Sequence, residues 1–301
     1  MVPKHWRHAA LSSGALVGLA GVLGLISSCS NPITSTPPPE PGAAILVGAG
    51  DIGKCNSTGP DATARLLDEI GGTVFTAGDN AYDHGTADDF NKCYNPTWGR
   101  HKSRTRPTPG NHDYEVPGAR AYFDYFGANA GPDGRGYYTY DVGAWRVYAL
   151  DSEIDSSPSS PQATWLRLDM TSRPAQCTVA IWHRPLFSSG PNGDQRDMRD
   201  LFRLLYQFGT EIVINGHDHL YERFFPQTAD GVLDEDSGIR QFTVGTGGMI
   251  LSAPGPKRAN SEIVQSVFGV LKLTLLDGRY AWEFNAVRGT PFHDSGDGVC
   301  H

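Results

Sequence analysis

Apolar, β-branched runs that stop at a glycine and a polar residue, one after another, constrain this chain more than any other feature. "AILVG" leads to Asp51, "TVFTAG" to Asp79 and Tyr82, and "TPG" to Asn111, His112 and Asp113. "CTVAIW" ends at His183, and "EIVING" ends at His217 and His219. Between these runs lie segments with apolar residues at helical spacing, such as "DATARLLDEI", "ADDFNKCY", "QATWLRLDM" and "RDMRDLFRLLYQF". Strand and helix in alternation point to an α/β domain, in which ligands sit at the carboxyl ends of the strands. The remainder is richer in strands: "YYTYDV" beside "WRVYALD", then "RQFTVGTGG", then a hairpin turning at Asp277-Gly278. No internal repeat and no second domain is visible, so mixed sheets within one domain over residues 43–301 are expected.

The polar residues at these ends are Asp, Asn, His and Tyr, an oxygen and nitrogen set without cysteine, which suits hard to borderline metals. His217 and His219 are two apart, so an extended segment presents both rings on one side. Asp218 between them points the other way and reads as a carboxylate stabilising the turn. Gly48 to Gly53 also fits the G-x-G-x-x-G dinucleotide fingerprint. Its last glycine should open a helix, but "KCNSTGP" intervenes, and no acidic strand end follows at the required distance.

Taken in order, these motifs resemble the calcineurin-like metallophosphoesterases, and "GDNAY" with "GHDHLYER" resembles the purple acid phosphatase branch. The resemblance runs from Asp51 to Arg223. It implies a four-layer sandwich, two mixed β-sheets flanked by helices, with two metal ions at the strand ends. By position, Asp51, Asp79, Tyr82 and His219 would hold the first metal. Asp79, Asn111, His183 and His217 would hold the second, with Asp79 bridging. His112 and Asp113 are then the catalytic candidates, His112 as proton donor to the leaving group. Asn111, His112 and Arg184 are the candidates for contact with substrate. Tyrosine ligation implies Fe(III) in the first position, with Zn, Mn or Fe(II) in the second.

The chain departs from the branch in two places. Many purple acid phosphatases carry a β-sandwich ahead of the catalytic domain, where this chain has "SNPITSTPPPEPG", an extended Pro/Ser/Thr tether at 29–42. They also hold phosphate with histidines in the loop after the His183 position. "HRPLFSSGPNGDQRD" has none, which leaves Arg184 or Asn192 as substitutes, or Arg184 paired with an acid instead. His84 reads as an exposed loop residue, and His101, His293 and Arg223 as structural.

Lys4, Arg7 and two histidines precede an apolar stretch from Ala9 to Ile26, the pattern of an export signal. Its glycines, Ser12 and Ser13 weigh against a spanning helix. "ISSCS" resembles a bacterial lipobox, which would make 1–28 a lipoprotein signal peptide and Cys29 the lipidated first residue. Of the five cysteines, four remain without Cys29, an even set suited to an oxidising compartment. Three pairings are open; Cys55–Cys93 with Cys177–Cys300 is favoured.

A net charge of −8 argues against general affinity for nucleic acid. The expectation is therefore an exported, lipid-anchored or secreted phosphoric ester hydrolase. Its substrate would be a small phosphate ester, its membrane contact the lipid anchor alone, and no obligate protein partner is evident. A monoesterase is favoured; the alternatives are a phosphodiesterase or nuclease of the same fold, and a surface binding protein that keeps the fold without catalysis.

Overall fold

The computed structural model describes residues 40 and 42–301. The expected signal peptide, Cys29 and nearly all of the tether lie outside the described residues. In chain order the first half comprises β1 (Ala44–Ala49), α1 (Gly59–Glu69), β2 (Thr73–Ala77), α2 (Ala87–Asp89), β3 (Thr105–Thr108), α3 (Arg120–Phe126), β4 (Tyr138–Val142) and β5 (Trp145–Ala149). Next come α4 (Pro161–Ser172), β6 (Thr178–Ile181), α5 (Arg199–Gln207), β7 (Ile212–Asn215), β8 (Tyr221–Phe224), β9 (Arg240–Val244), β10 (Ser261–Gln265), β11 (Gly269–Leu276), β12 (Arg279–Ala286) and β13 (His293–Val299).

Two sheets form, in the orders β13-β12-β11-β1-β2-β3 and β10-β8-β9-β7-β6-β5-β4. Both are mixed. In the first, β1, β2 and β3 run parallel while β11 pairs antiparallel to β1. In the second, β5, β6, β7 and β9 run parallel, with antiparallel strands outside them. The expected α/β sandwich of two mixed sheets with helices is what the chain adopts.

Strand alternation accounts for the layers. Val179, Ile181, Ile212 and Ile214 point into the core between the sheets, where Leu46, Phe75, Leu271 and Leu273 meet them. Their neighbours Ala180, Trp182 and Val213 point outward and pack on Leu166 and Met170 of α4 and Leu201, Phe202 and Leu205 of α5. Strands covered on both faces read as unbroken apolar runs, which is why β6 and β7 were so plain in the sequence. Ser160 caps α4 by accepting the Ala163 N–H at 3.1 Å, and Pro161 follows as its first residue.

Three strands, β8, β10 and β13, went unmarked in the sequence, and β3 was marked only by the polar residues at its end. β3 contains Arg106-Pro107 and β13 reads "HDSGDGV"; each closes an edge of the first sheet, where such residues are tolerated. β8 and β10 are short and rich in polar residues, which pair with one another: Glu222 of β8 accepts from Ser261 of β10 at 2.6 Å. Arg223, expected to be structural, is buried against Asp294, Glu262 and the ring of Trp282. Both favoured disulfides form, Cys55–Cys93 and Cys177–Cys300. The dinucleotide-like segment opens no helix; Gly53 bridges to Ala81 beyond β2, and α1 starts six residues later at Gly59.

Candidate metal centre

The ends of β1, β2, β6 and β7, with the turn after β3, converge on one edge of the sandwich. Asp51, Asp79 and His217 all adopt left-handed backbone, with φ of 59°, 48° and 70°. Each strand thus stops abruptly and turns its next polar side chain across the sheet edge. This conformation is uncommon outside glycine, least so for Asp, and tends to gather at functional sites. Gly110 lets the turn after β3 come close: a Cβ there would lie 2.3 Å from Asp79 Oδ1.

Two groups of donors result. In the first, the buried Tyr82 hydroxyl lies 2.8 Å from Asp51 Oδ1, 2.9 Å from Asp79 Oδ2 and 3.4 Å from His219 Nε2. In the second, His183 Nε2 lies 3.2 Å from each of Asp79 Oδ2, Asn111 Oδ1 and His217 Nδ1. Asp79 Oδ2 belongs to both. Thus all seven residues named as metal ligands from the sequence are brought together, in the two groups of four that the resemblance implied.

Backbone groups orient the donors. His183 Nδ1 faces the Ala77 carbonyl at 2.9 Å and His219 Nδ1 faces the Ile250 carbonyl at 2.9 Å. A ring nitrogen beside a carbonyl carries a proton, so both rings turn Nε2 inward, the orientation metal-ligating histidines adopt. Asp51 Oδ2 accepts the His217 N–H and Asp79 Oδ1 accepts the His112 N–H, each at 2.8 Å.

The electrostatics call for a cation. Asp51 and Asp79 are buried together, and their partners are a tyrosine hydroxyl, backbone N–H groups and histidines. Burial works against a charged His183, yet Asp79 and Asp51 hold its pKa up to about 10, so a proton stands where positive charge is wanted. Burial, then His183 and Arg184, push His217 down to about 3, leaving it a neutral donor. Burial and the two aspartates raise Tyr82 well above the ordinary phenol value. Asp51, Asp79 and His183 bring donor atoms within 4.8 Å of one another. Buried oxygens and inward-facing ring nitrogens fit a metal ion, which would take the place of the His183 proton.

His112 stands at the rim. Its ring is 4.6 Å from that of Tyr82; Nδ1 faces the Asp83 carbonyl at 2.6 Å and Glu115 at 3.1 Å, and Nε2 lies 3.9 Å from Asp79 Oδ2. The protonated Nδ1 is thus held from outside, and Nε2 is turned to the centre.

Two expectations need correction. Asp113 does not face the centre: it is fully buried and accepts from Asn80 N, Asn80 Nδ2 and Gly110 N at 2.9–3.2 Å. Burial and the charge of Asp79 raise its pKa to about 7. It positions the turn bearing Asn111 and His112. Arg184 is gripped by Glu153 at 2.8–3.0 Å through Nε and Nη2, the acid-paired alternative to phosphate contact. Asn192 donates to the His217 carbonyl, and Asp218 accepts from Ser188 and from Asn192 N, tying down the loop after β6. His84 is exposed and pairs with Glu115. Asn80, Glu115 and Glu153 were missed; Asn80 alone carried a signal, its place directly after Asp79.

A family model, calcineurin-like phosphoesterase, matches residues 46–221, which hold the whole donor set. The chain belongs to the calcineurin-like phosphoesterase family. Among curated relatives, purple acid phosphatase 15 of Arabidopsis thaliana is 28% identical over 226 residues, 63% of this chain and 42% of the relative. Purple acid phosphatase 21 of the same plant is 30% identical over 273 residues, 79% of this chain and 58% of the relative. The chain therefore spans only about half the length of these relatives. Among solved structures, purple acid phosphatase PPD1 from yellow lupin (Lupinus luteus) superposes with a TM-score of 0.76 at 21% identity, covering 85% of this chain and 54% of that one. This last likeness speaks to the fold.

Proposed function

We propose that this member of the family is a dinuclear-metal phosphoric monoester hydrolase, exported and lipid-anchored. One observation carries the reading: two four-donor groups share Asp79 Oδ2. A single carboxylate placed in this way can give an oxygen to each of two cations. The purple acid phosphatase relatives support the same activity. Asp51, Tyr82 and His219 complete one site, and Asn111, His183 and His217 the other. Bound metals would polarise the phosphoryl oxygens and lower the pKa of water towards neutrality.

The chain's own residues do the rest. Asn111 contributes a neutral oxygen, leaving its site more electrophilic than a further carboxylate would. His112, held at Nδ1 by the Asp83 carbonyl, directs Nε2 inward, where it can give a proton to the departing alkoxide. Arg184 is neutralised by Glu153, so phosphate orientation rests on the metal sites, Asn111 and His112.

Fe(III) is proposed for the site of Tyr82, with Zn, Mn or Fe(II) beside it. A hydroxyl so deeply buried between carboxylates loses its proton only to a strongly polarising cation. Lipid anchoring is supported by "ISSCS" at the end of the apolar leader. Hydrolysis of an aryl phosphate monoester and a bis-aryl diester by metal-loaded protein tests the assignment. Monoester turnover well above diester turnover is expected; the reverse preference would make it a diesterase.

A further inference from the structure

A depression of about 750 Å³ lies beside the first donor group, between residues 54–58 on one side and Ile250, Leu251 and Phe268 on the other. Both walls lead directly out of the metal centre. The carbonyl of Gly53, just before Lys54, accepts the Tyr82 N–H at 3.0 Å, and the carbonyl of Ile250 accepts from His219 Nδ1 at 2.9 Å. The walls are also braced. Cys55 is disulfide-bonded to Cys93, and Ser57 Oγ donates to the Gly248 carbonyl at 2.9 Å.

The lining fits a particular chemistry. Ile250 is 65% exposed, and Leu251 and Phe268 are half-buried, so apolar surface remains uncovered next to a polar centre. The charged residue of the lining, Lys54, is taken up by Asp83 at 2.6 and 2.7 Å. The depression therefore offers no free cation to a polyanionic group. Asp83 in turn presents its carbonyl to His112 Nδ1, which places this wall on the side of the proton donor. The volume is that of a site for a drug-sized organic group.

We infer that this depression is the leaving-group subsite, and that it takes a neutral aromatic or branched apolar alcohol. Phosphate monoesters of such alcohols are then preferred over esters of small polyols and over substrates carrying further phosphates. The inference rests on the monoesterase reading. Burial of one aromatic ring against Ile250 and Leu251 gives roughly ten- to thirtyfold in affinity.

The test compares two non-hydrolysable ligands, 1-naphthylmethylphosphonate and methylphosphonate, by calorimetry on zinc-loaded protein. Wild type is expected to bind the naphthyl ligand at least about tenfold more tightly. In Leu251→Ser the ratio falls to within about threefold while methylphosphonate affinity holds, and Ile250→Ser narrows the ratio likewise. Separately, 1-naphthol titrated into metal-free protein should shift the methyl NMR signals of Ile250 and Leu251 above all others. Equal affinity for the two phosphonates, a ratio unchanged in both variants, or shifts centred elsewhere would overturn the subsite. Hydrolysis of both naphthyl and glycerol phosphate with such equal affinities would remove the subsite and leave the phosphatase. Selective naphthyl binding without hydrolysis of any ester would do the opposite.

Discussion

The rings of His112 and Tyr82 pack tilted, 4.6 Å apart, but are given different tasks by what holds them. His112 is fixed from outside through Nδ1, which leaves Nε2 for the reaction. A proton donor matters in proportion to the basicity of the leaving group. His112→Ala is therefore expected to cut hydrolysis of an alkyl phosphate on the order of a hundredfold, and that of an activated aryl phosphate less than about tenfold. Equal losses on both would make His112 a structural residue. Tyr82 is fixed from inside by Asp51 and Asp79. With Fe(III) bound beside it, tyrosinate-to-iron charge transfer should give a visible absorption band. Tyr82→Phe should abolish that band and keep the fold, since only a hydroxyl is removed. A wild type that is fully active yet colourless, with divalent metals only, would refute the iron assignment.

At the scale of the element, β7 shows what could and could not be read in advance. Ile212 to Ile214 are buried on both faces, so the strand was plain, and Gly216 marked the turn that brings His217 inward. The acceptors that orient the histidines were not legible, because Ala77 and Ile250 act through backbone carbonyls that any residue provides. Arg184 was undecidable for a different reason. An arginine beside a phosphate site pairs with the ligand or with an acid, and the acid, Glu153, lies 31 residues away. Asp113 misled because it stands in the same motif as Asn111 and His112 but its side chain enters the fold. The residue preceding β7 carries a further consequence. Glu211 is buried, Oε2 accepts the Thr178 N–H at 2.6 Å, and Oε1 has no partner. Burial raises its pKa to about 7, so the folded state holds a proton that the unfolded chain has released. Its contribution to stability is full below about pH 4.5 and fades as the pH rises through 7, a change of about 3 kcal/mol. Glu211→Gln should flatten that part of the stability–pH curve and leave the variant the more stable form at pH 8, as chemical denaturation would show. An unchanged curve would mean that Glu211 is already ionised when folded.

For the molecule as a whole, the two sheets act as a rigid frame that delivers donors from separate segments to one edge. Residues 46–221 carry every donor, and the strands beyond them complete both sheets. The leader adds a claim of another kind, about place rather than chemistry. If Cys29 is lipidated, Cys29→Ser should move the protein from the membrane fraction to the soluble fraction. A native mature N-terminus well beyond Cys29 would refute the anchor. The proposed function stands on Asp79 shared between two metals, and the metal content of purified protein tests this most directly. Wild type reconstituted and desalted should retain two metal ions per chain by elemental analysis, and Asp79→Ala no more than one, with hydrolysis nearly abolished. Two retained metals and full activity in Asp79→Ala would contradict the shared site.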